Sequence, residues 1–279
     1  MTSATRATTA SEPTVVELPT TKIVAEIEDG VGWLTYNNPE RRNALSFEMQ
    51  IGSAMALRRF QEDAAVRVVV LRGAGDRAFV SGADISEFEK LRTTVEARKR
   101  YDQAGRDTGR AFAALEKPLI AMIRGYCLGG GLATALNADL RIASEDSLFG
   151  IPAGRLGVGY GFAGIKVLVD LVGPSRTSEI LLTARRFTAA EAHHMGLIDR
   201  VTTVDELEGA VRDLAGRMAA NAPLTLRAAK RAIKEATKDP ERRDLDRVKQ
   251  LVEACFRSED YVEGRKAFLE KRPPRFQGR

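Results

Sequence analysis

The most informative part of this sequence is a pair of glycine-bearing stretches, AFVSGADI at residues 78–85 and GYCLGGGL at residues 125–132. A helix that begins after the glycine run of the second stretch leaves its first backbone N–H groups without partners, and the positive end of its dipole favours a negative charge. Glycine also lets a ligand come close to the backbone. The two stretches could therefore aim two backbone N–H groups at one carbonyl oxygen that takes up negative charge.

Strand and helix signals alternate on both sides of these stretches. Residues 22–28 and 31–36 are predicted to form a hairpin, and residues 66–72 and 118–123 are predicted to be buried strands. Predicted helices begin after the N-cap Ser46, at Leu132, after the capping box of Thr188 and Glu191, and from Asp205 onward. Strands that alternate with helices and give way to a helical end predict an α/β core with a C-terminal helical region.

Further short motifs accompany the two stretches in a fixed order. They are NAL at residues 43–45, EA and GLI at 191–192 and 196–198, NAPL at 221–224, and FLEK at 268–271. From about residue 23 to about residue 276, this ordered set resembles the crotonase family, also called the enoyl-CoA hydratase/isomerase family. The resemblance implies a crotonase-like α/β fold with a ββα spiral core, an acyl-CoA substrate, and no cofactor other than the coenzyme A thioester itself.

Composition is consistent with a globular enzyme. The 279 residues are 44% hydrophobic and 29% charged, and no apolar run approaches the roughly 20 residues that span a bilayer. The two cysteines form no disulfide or metal pattern, which favours a reduced, cytoplasmic setting. The net charge of +5 suits the phosphates of coenzyme A as well as nucleic acid. Since no basic run is interleaved with aromatic residues, no nucleic-acid partner is expected, and the lack of a long apolar run predicts no membrane partner.

The chain is expected to divide into three parts. Residues 1–20 are rich in Thr, Ser and Ala and are predicted to be a flexible N-terminal tail. Residues 21–204 are predicted to form the spiral core that binds acyl-CoA. Residues 205–279 are predicted to form a helical region, and the resemblance implies that this region mediates assembly into a homotrimer or a dimer of trimers.

The resemblance also assigns roles to individual residues. It implies that the backbone N–H groups of Ala83 and Gly130 form an oxyanion hole, whereas a glycine run without the upstream stretch would favour a tightly packed turn. Asp84 is expected to support the loop structurally. The residues implied to bind substrate are Ala44, Ser81, Ile85 and Gly129, together with Phe268 and Lys271, which are expected to approach coenzyme A at a neighbouring subunit.

Two positions depart from the family pattern. Hydratases of the family use two glutamates to add water across the enoyl double bond, and here those positions hold Ala133 and Ala153. A methyl group cannot transfer a proton, and general acid–base catalysis typically contributes ~10²–10⁴ in rate. The sequence therefore predicts weak or no standard hydratase or isomerase activity.

Tyr160 is the polar side chain that could act in place of the glutamates. It ends the stretch LGVGY at residues 156–160, which resembles the corresponding stretch of bacterial methylmalonyl-CoA decarboxylase, where the tyrosine faces the acyl group. That decarboxylase has a histidine at the position of Ala83, so the match is partial. The alternative is that Tyr160 packs in a loop with its hydroxyl bonded to the backbone.

Three functions remain open from the sequence. The first is a hydratase-type lyase of fatty acid metabolism, the second is another crotonase reaction such as decarboxylation with Tyr160, and the third is a non-catalytic acyl-CoA carrier. No metal site is predicted, because His193 and His194 are adjacent on a predicted helix and point in different directions.

Overall fold

The computed structural model describes residues 12–87 and 94–279. Its strands are β1 (Thr14–Val15), β2 (Ile23–Glu28), β3 (Val31–Tyr36), β4 (Val68–Gly73), β5 (Ala78–Val80), β6 (Leu119–Ile123), β7 (Tyr126–Leu128), β8 (Leu140–Ser144), β9 (Leu148–Gly150), β10 (Phe187–Thr188) and β11 (Arg200–Thr202). Its α-helices are α1 (Phe47–Glu62), α2 (Val95–Ala114), α3 (Gly130–Ala135), α4 (Ala153–Leu156), α5 (Phe162–Thr183), α6 (Ala189–His194), α7 (Leu207–Ala219), α8 (Pro223–Ala236), α9 (Leu245–Arg257) and α10 (Glu259–Leu269).

Two sheets form the framework of the described residues. The larger has the strand order β1-β2-β3-β4-β6-β8-β11, and the smaller has the order β10-β9-β7-β5. The predicted hairpin is present, since β2 and β3 pair antiparallel from Ile23 opposite Tyr36 to Glu28 opposite Val31. The strands from β3 to β11 in the larger sheet are parallel, and so are β5, β7 and β9 in the smaller one. Parallel strands joined through helices make this an α/β fold, as predicted.

The strand β4 shows why the sequence of a central strand is a continuous run of apolar residues. Val69 and Leu71 face the main core, whereas Val68 and Val70 face a second, smaller cluster beneath α7. A strand that is buried on both faces has no polar side to present. Because α7 covers one face of the larger sheet, the segment predicted as a C-terminal helical region begins by packing on the core.

The described part of the N-terminal segment differs from the expected flexible tail. Thr14 and Val15 pair with β2, and the Val16 N–H donates to the Ala25 carbonyl at 2.8 Å. Val16 and Leu18 pack against the main core. The alternating apolar residues Val16 and Leu18 form too short a run to predict a strand, because Thr and Pro residues surround them. Residues 1–11 lie outside the described part of the chain.

Buried charges tie α8 to the core and the end of the chain to α10. Lys230 on α8 donates to the Asp139 carboxylate at 2.8 Å and to the Lys117 carbonyl at 2.7 Å. Asp260 on α10 is 3% exposed, and its carboxylate accepts the backbone N–H groups of Gln277 and Gly278 at 2.6 and 2.8 Å. The last residues of the chain therefore fold back over α10 as a strap. In the described residues, no helix is both long and apolar enough to cross a membrane.

Candidate active site

The first glycine-bearing stretch leaves β5 as a loop that is pinned to the segment before α1. The Leu45 N–H donates to the Gly82 carbonyl at 2.8 Å, and the Asp84 N–H donates to the Leu45 carbonyl at 2.8 Å. Gly82 has φ 126°, a conformation that residues with a side chain rarely adopt. Between these bonds, the Ala83 N–H has no hydrogen-bond acceptor among the described residues.

The second stretch ends β7 and begins α3. Gly129 is the N-cap of this helix with φ 51° and ψ −116°, and its N–H donates to the Gly150 carbonyl at 2.8 Å. The Ala133 N–H donates back to the Gly129 carbonyl at 3.0 Å, which closes the first turn. As expected for a first helical residue, Gly130 has no acceptor for its N–H in the part of the chain that the structure describes.

Parallel pairing brings the two free donors together. Val80 at the end of β5 lies opposite Cys127 in β7, so both strands deliver their loops to the same edge of the smaller sheet. A Cβ atom built at Gly130 would lie 3.5 Å from the Ala83 nitrogen, and one at Gly131 would lie 2.8 Å from Val80 Cβ. Glycine is thus required at position 131, and the backbone segments that carry the two N–H groups lie in contact with each other.

The two alanines at the positions of the family's glutamates lie near the glycine run. Ala133 is exposed on α3, one turn after Gly129. Ala153 is half-buried and begins the four-residue helix α4 directly after Pro152, whose Cδ lies 4.0 Å from a Cβ atom built at Gly129. Neither side chain can accept or donate a proton.

Tyr160 follows α4 and packs its ring against the main core. Its ring atoms Cδ1 and Cε1 lie 3.5 Å from a Cβ atom built at Gly164. The Tyr160 hydroxyl makes no hydrogen bond with a described residue and is not sealed from solvent. Partial burial raises the pKa of Tyr160, so the phenol is neutral at physiological pH and can act as a hydrogen-bond donor.

The other predicted binding residues lie in two places. Ala44 and Ser81 are half-buried near the first loop, and Ile85 is 56% exposed just beyond it. Phe268 and Lys271 lie at the end of α10; Phe268 is 84% exposed and Lys271 has φ 52°. Phe268 also lines an apolar groove of about 740 Å³ between α8, α9 and α10, which contains none of the residues of the two glycine-bearing stretches.

The side chains of Asn43 and Asp84 hold the loops in place. Asn43 is completely buried, and its Nδ2 donates to the carbonyls of Ala74 and Ala78 at 2.9 and 2.8 Å. Its φ of 55° is a left-handed conformation that Asn tolerates well, and an Asn directly before an apolar pair was the available signal. Asp84 is mostly buried, and its carboxylate accepts from the Ser86 hydroxyl at 2.6 Å, in keeping with a structural role.

Neither the adjacent histidines nor Cys127 forms a reactive site. His193 and His194 are exposed at the end of α6, and no group of metal-ligating side chains occurs within residues 12–87 and 94–279. Cys127 is completely buried, and burial raises the pKa of its thiol well above the ordinary value.

Comparison with known proteins identifies the family. A model of the enoyl-CoA hydratase/isomerase family matches residues 26–279. The chain belongs to this family. Crotonyl-CoA hydratase of Syntrophomonas wolfei subsp. wolfei is 36% identical over 259 residues, which cover 91% of this chain and 97% of that protein. Short-chain-enoyl-CoA hydratase of Clostridium acetobutylicum is 34% identical over 250 residues, which cover 90% of this chain and 95% of that protein.

A solved structure extends the likeness to three dimensions. The enoyl-CoA hydratase/carnithine racemase from Magnetospirillum magneticum matches with a TM-score of 0.86 and 35% identity, covering 93% of this chain and 97% of that chain. The predicted family and the predicted crotonase-like fold are both confirmed. The protein is a member of a family of acyl-CoA enzymes.

Proposed function

We propose that this protein is an acyl-CoA-binding enzyme that holds the thioester carbonyl oxygen between the backbone N–H groups of Ala83 and Gly130. The observation that carries the proposal is the close approach of these two donors, neither of which has an acceptor among the described residues. Negative charge on that oxygen grows when the thioester becomes an enolate. Donors that are fixed in advance therefore stabilise the enolate more than the bound substrate.

The missing carboxylates limit the reaction that this site can perform. Hydration of an α,β-unsaturated thioester needs a base for the water and an acid for the α carbon, and the methyl groups of Ala133 and Ala153 supply neither. Each such group typically contributes ~10²–10⁴ in rate. The proposed hydration of crotonyl-CoA is therefore weak, sustained only by carbonyl polarisation and substrate positioning.

The proposal includes the coenzyme A portion and the assembly. The residues proposed to contact substrate are Ala44, Ser81, Ile85 and Gly129 from one copy, with Phe268 and Lys271 from a neighbouring copy. Large exposed apolar side chains support assembly into a homotrimer or a dimer of trimers, since Phe162, Leu182 and Phe268 are 81%, 84% and 84% exposed in the single chain.

Calorimetry with matched ligands tests the carbonyl contact. Butyryl-CoA and its thioether analogue S-butyl-CoA differ only in the carbonyl oxygen, so two hydrogen bonds should make the thioester bind about 10-fold more tightly. The variant Gly130→Ala places a Cβ atom 3.5 Å from the Ala83 nitrogen, beside one of the two donors, and should reduce this difference. Gly216→Ala, where an added Cβ meets no atom within 4 Å, is the matched control.

The outcomes separate the possibilities clearly. Equal affinity of the wild-type protein for thioester and thioether would contradict the oxyanion hole. No affinity for any of a panel of short and long acyl-CoAs would contradict the function as a whole. Tight binding without turnover of any tested thioester would favour the acyl-CoA carrier over the enzyme.

A second candidate reaction is decarboxylation of a malonyl-type thioester, which the free hydroxyl of Tyr160 favours. In this reaction the bond between the α carbon and the carboxylate breaks, its electron pair forms the enolate, CO₂ leaves, and water later protonates the α carbon. No carboxylate base is needed. A neutral phenol could orient the departing carboxylate by donating a hydrogen bond.

Release of CO₂ from malonyl-CoA and methylmalonyl-CoA tests this reaction. Tyr160→Phe should reduce the rate while leaving the affinity for butyryl-CoA unchanged. Since burial raises the pKa of Tyr160 above its usual 10, the rate should not fall between pH 7 and pH 9 through loss of the phenol proton. Wild-type protein that releases no CO₂ would exclude the reaction.

A further inference from the structure

A buried amide side chain fixes the segment that runs beside the first N–H donor. Asn43 lies between a short 3₁₀ turn and α1, and it is completely buried. Its Nδ2 donates to the carbonyls of Ala74 and Ala78 at 2.9 and 2.8 Å. Its Oδ1 accepts the Asn38 N–H at 2.9 Å. A primary amide has two N–H bonds to donate, so both donors of this side chain are used.

These hydrogen bonds determine where β5 begins. Ala74 directly follows β4, and Ala78 is the first residue of β5. The Asn43 side chain therefore holds both ends of the connection between the two strands. The fit is close, because a Cβ atom built at Gly73 would lie 2.8 Å from Asn43 Nδ2. Since β5 leads directly into the loop that contains Ala83, the amide anchors the strand that delivers the first donor.

The backbone next to Asn43 brackets Ala83 with hydrogen bonds. Leu45 and Ala83 form a parallel bridge. The Leu45 N–H donates to the Gly82 carbonyl and the Asp84 N–H donates to the Leu45 carbonyl, both at 2.8 Å. Leu45 thus bonds to the residues on either side of Ala83 and not to Ala83 itself, as parallel pairing requires. The Ala83 N–H is held in place by its neighbours and keeps its own hydrogen for another acceptor.

The segment needs the Asn43 side chain because its backbone conformation is unfavourable. Arg42 and Asn43 have φ values of 53° and 55°, and consecutive left-handed residues with side chains are uncommon. Such a conformation persists only where surrounding contacts fix it. The side-chain hydrogen bonds of Asn43 supply those contacts, together with the bond from its N–H to the Asn38 carbonyl at 2.8 Å. Loss of the side chain would let residues 42–45 shift, and Ala83 with them.

We infer that Asn43 is a positioning residue, which holds the Ala83 N–H in place relative to the Gly130 N–H for stabilisation of a thioester enolate. The inference rests on the proposed function, because it concerns the same oxyanion hole. Asn43 is completely buried and acts through the backbone of residues 42–45 and 78–84. A displacement of the Ala83 N–H would weaken its bond to the enolate oxygen, since hydrogen bonds depend steeply on distance and angle.

The ultraviolet spectrum of bound acetoacetyl-CoA measures this role, because its enolate absorbs where the keto form does not. Asn43→Gly removes the side-chain hydrogen bonds and tolerates the left-handed backbone, whereas Asn43→Asp keeps the size of the side chain and removes both N–H donors. Each variant should lower the bound enolate-to-keto ratio by about 2- to 10-fold, as expected when one hydrogen bond is weakened. Butyryl-CoA affinity should change less, because its carbonyl oxygen carries less negative charge than the enolate.

Lys117→Met provides the matched control. The Lys117 ammonium also donates to two backbone carbonyls, those of Phe60 and Asp63 at 2.5 and 2.6 Å. These carbonyls lie at the C-terminal end of α1, whereas Asn43 precedes its N-terminal end. This variant should lower the free energy of unfolding and keep the wild-type enolate ratio. An equal drop of the ratio in Lys117→Met, or an unchanged ratio in both Asn43 variants, would overturn the positioning role.

Hydrogen–deuterium exchange tests the same role in the wild-type protein, without any substitution. If Asn43 fixes the two segments in advance, residues 42–46 and 78–84 should exchange slowly in the absence of ligand. Fast exchange there would contradict the inference. If the wild-type protein binds acetoacetyl-CoA without raising the enolate fraction, the oxyanion hole itself fails. That result differs from a wild-type enolate signal that the Asn43 variants leave intact, which overturns only the positioning role.

Discussion

Restoring the two missing carboxylates should convert this protein into a much better hydratase. The change is Ala133→Glu combined with Ala153→Glu. Ala133 is exposed on α3, so a glutamate there displaces no core residue. Ala153 is half-buried and packs against the main core, where partial desolvation would raise the pKa of a new carboxyl group and suit it to act as an acid.

The magnitude follows from what the alanines lack. One positioned acid or base typically contributes ~10²–10⁴ in rate, and two groups that act on the same water behave as a unit. Each single variant should therefore gain little, whereas the double variant should gain at least about 10²-fold in kcat/KM for crotonyl-CoA. Loss of the enoyl thioester absorbance gives the rate, and the paired Ala133→Gln and Ala153→Gln variant controls for size and polarity.

Two results would refute this reasoning. Wild-type protein that matches a two-glutamate hydratase under identical conditions would show that another side chain supplies the acid–base chemistry. A double-glutamate variant that folds and binds butyryl-CoA, yet is no faster than the double-glutamine variant, would show that Ala133 and Ala153 do not face the reacting atoms.

Three further predictions concern packing, pH and assembly. Gly131→Ala should lower the free energy of unfolding by about 2–4 kcal/mol, since its Cβ would collide with the Val80 backbone. Gly216→Ala, at an open helical position, should raise the free energy of unfolding by about 0.5–1 kcal/mol. Urea denaturation measures both values, and equal effects of the two substitutions would contradict the collision expected at Gly131. The Arg272 guanidinium and the Arg275 N–H lower the pKa of Glu263 from 4.5 to about 2, so their stabilisation of the strap is fully present above pH 4.5 and is lost as the pH falls toward 2. Glu263→Gln should therefore flatten the decline in stability between pH 5 and pH 3, and a variant with the wild-type pH profile would exclude this contribution. Light scattering at micromolar concentration should give the mass of a trimer or hexamer, and a monomer mass would contradict the proposed assembly.

Local signals in the sequence predicted much of the secondary structure. The Ser46 side chain accepts the Met49 N–H as an N-cap, and Thr188 and Glu191 form the predicted capping box. These features depend on residues three or four apart, so a single stretch contains all the information. The positions of the glycine-bearing stretches in the family pattern likewise predicted the fold and the family.

The contacts that shape the site could not be predicted, because their partners are far apart in the chain. Tyr36 and Phe79 read as ordinary strand residues until the packing of the two sheets brings their rings together edge to face. The requirement for glycine at position 131 arises from a collision with Val80, which no spacing rule reveals. The strap over α10 similarly depends on Asp260 meeting backbone N–H groups near the chain end.

A crystal structure of the wild-type protein with butyryl-CoA tests the central claim most directly. We expect the thioester carbonyl oxygen to lie roughly 2.7–3.1 Å from both the Ala83 and the Gly130 nitrogen atoms, with the α and β carbons facing Ala133 and Ala153. A carbonyl oxygen bound elsewhere, with neither of these N–H groups donating to it, would contradict the account.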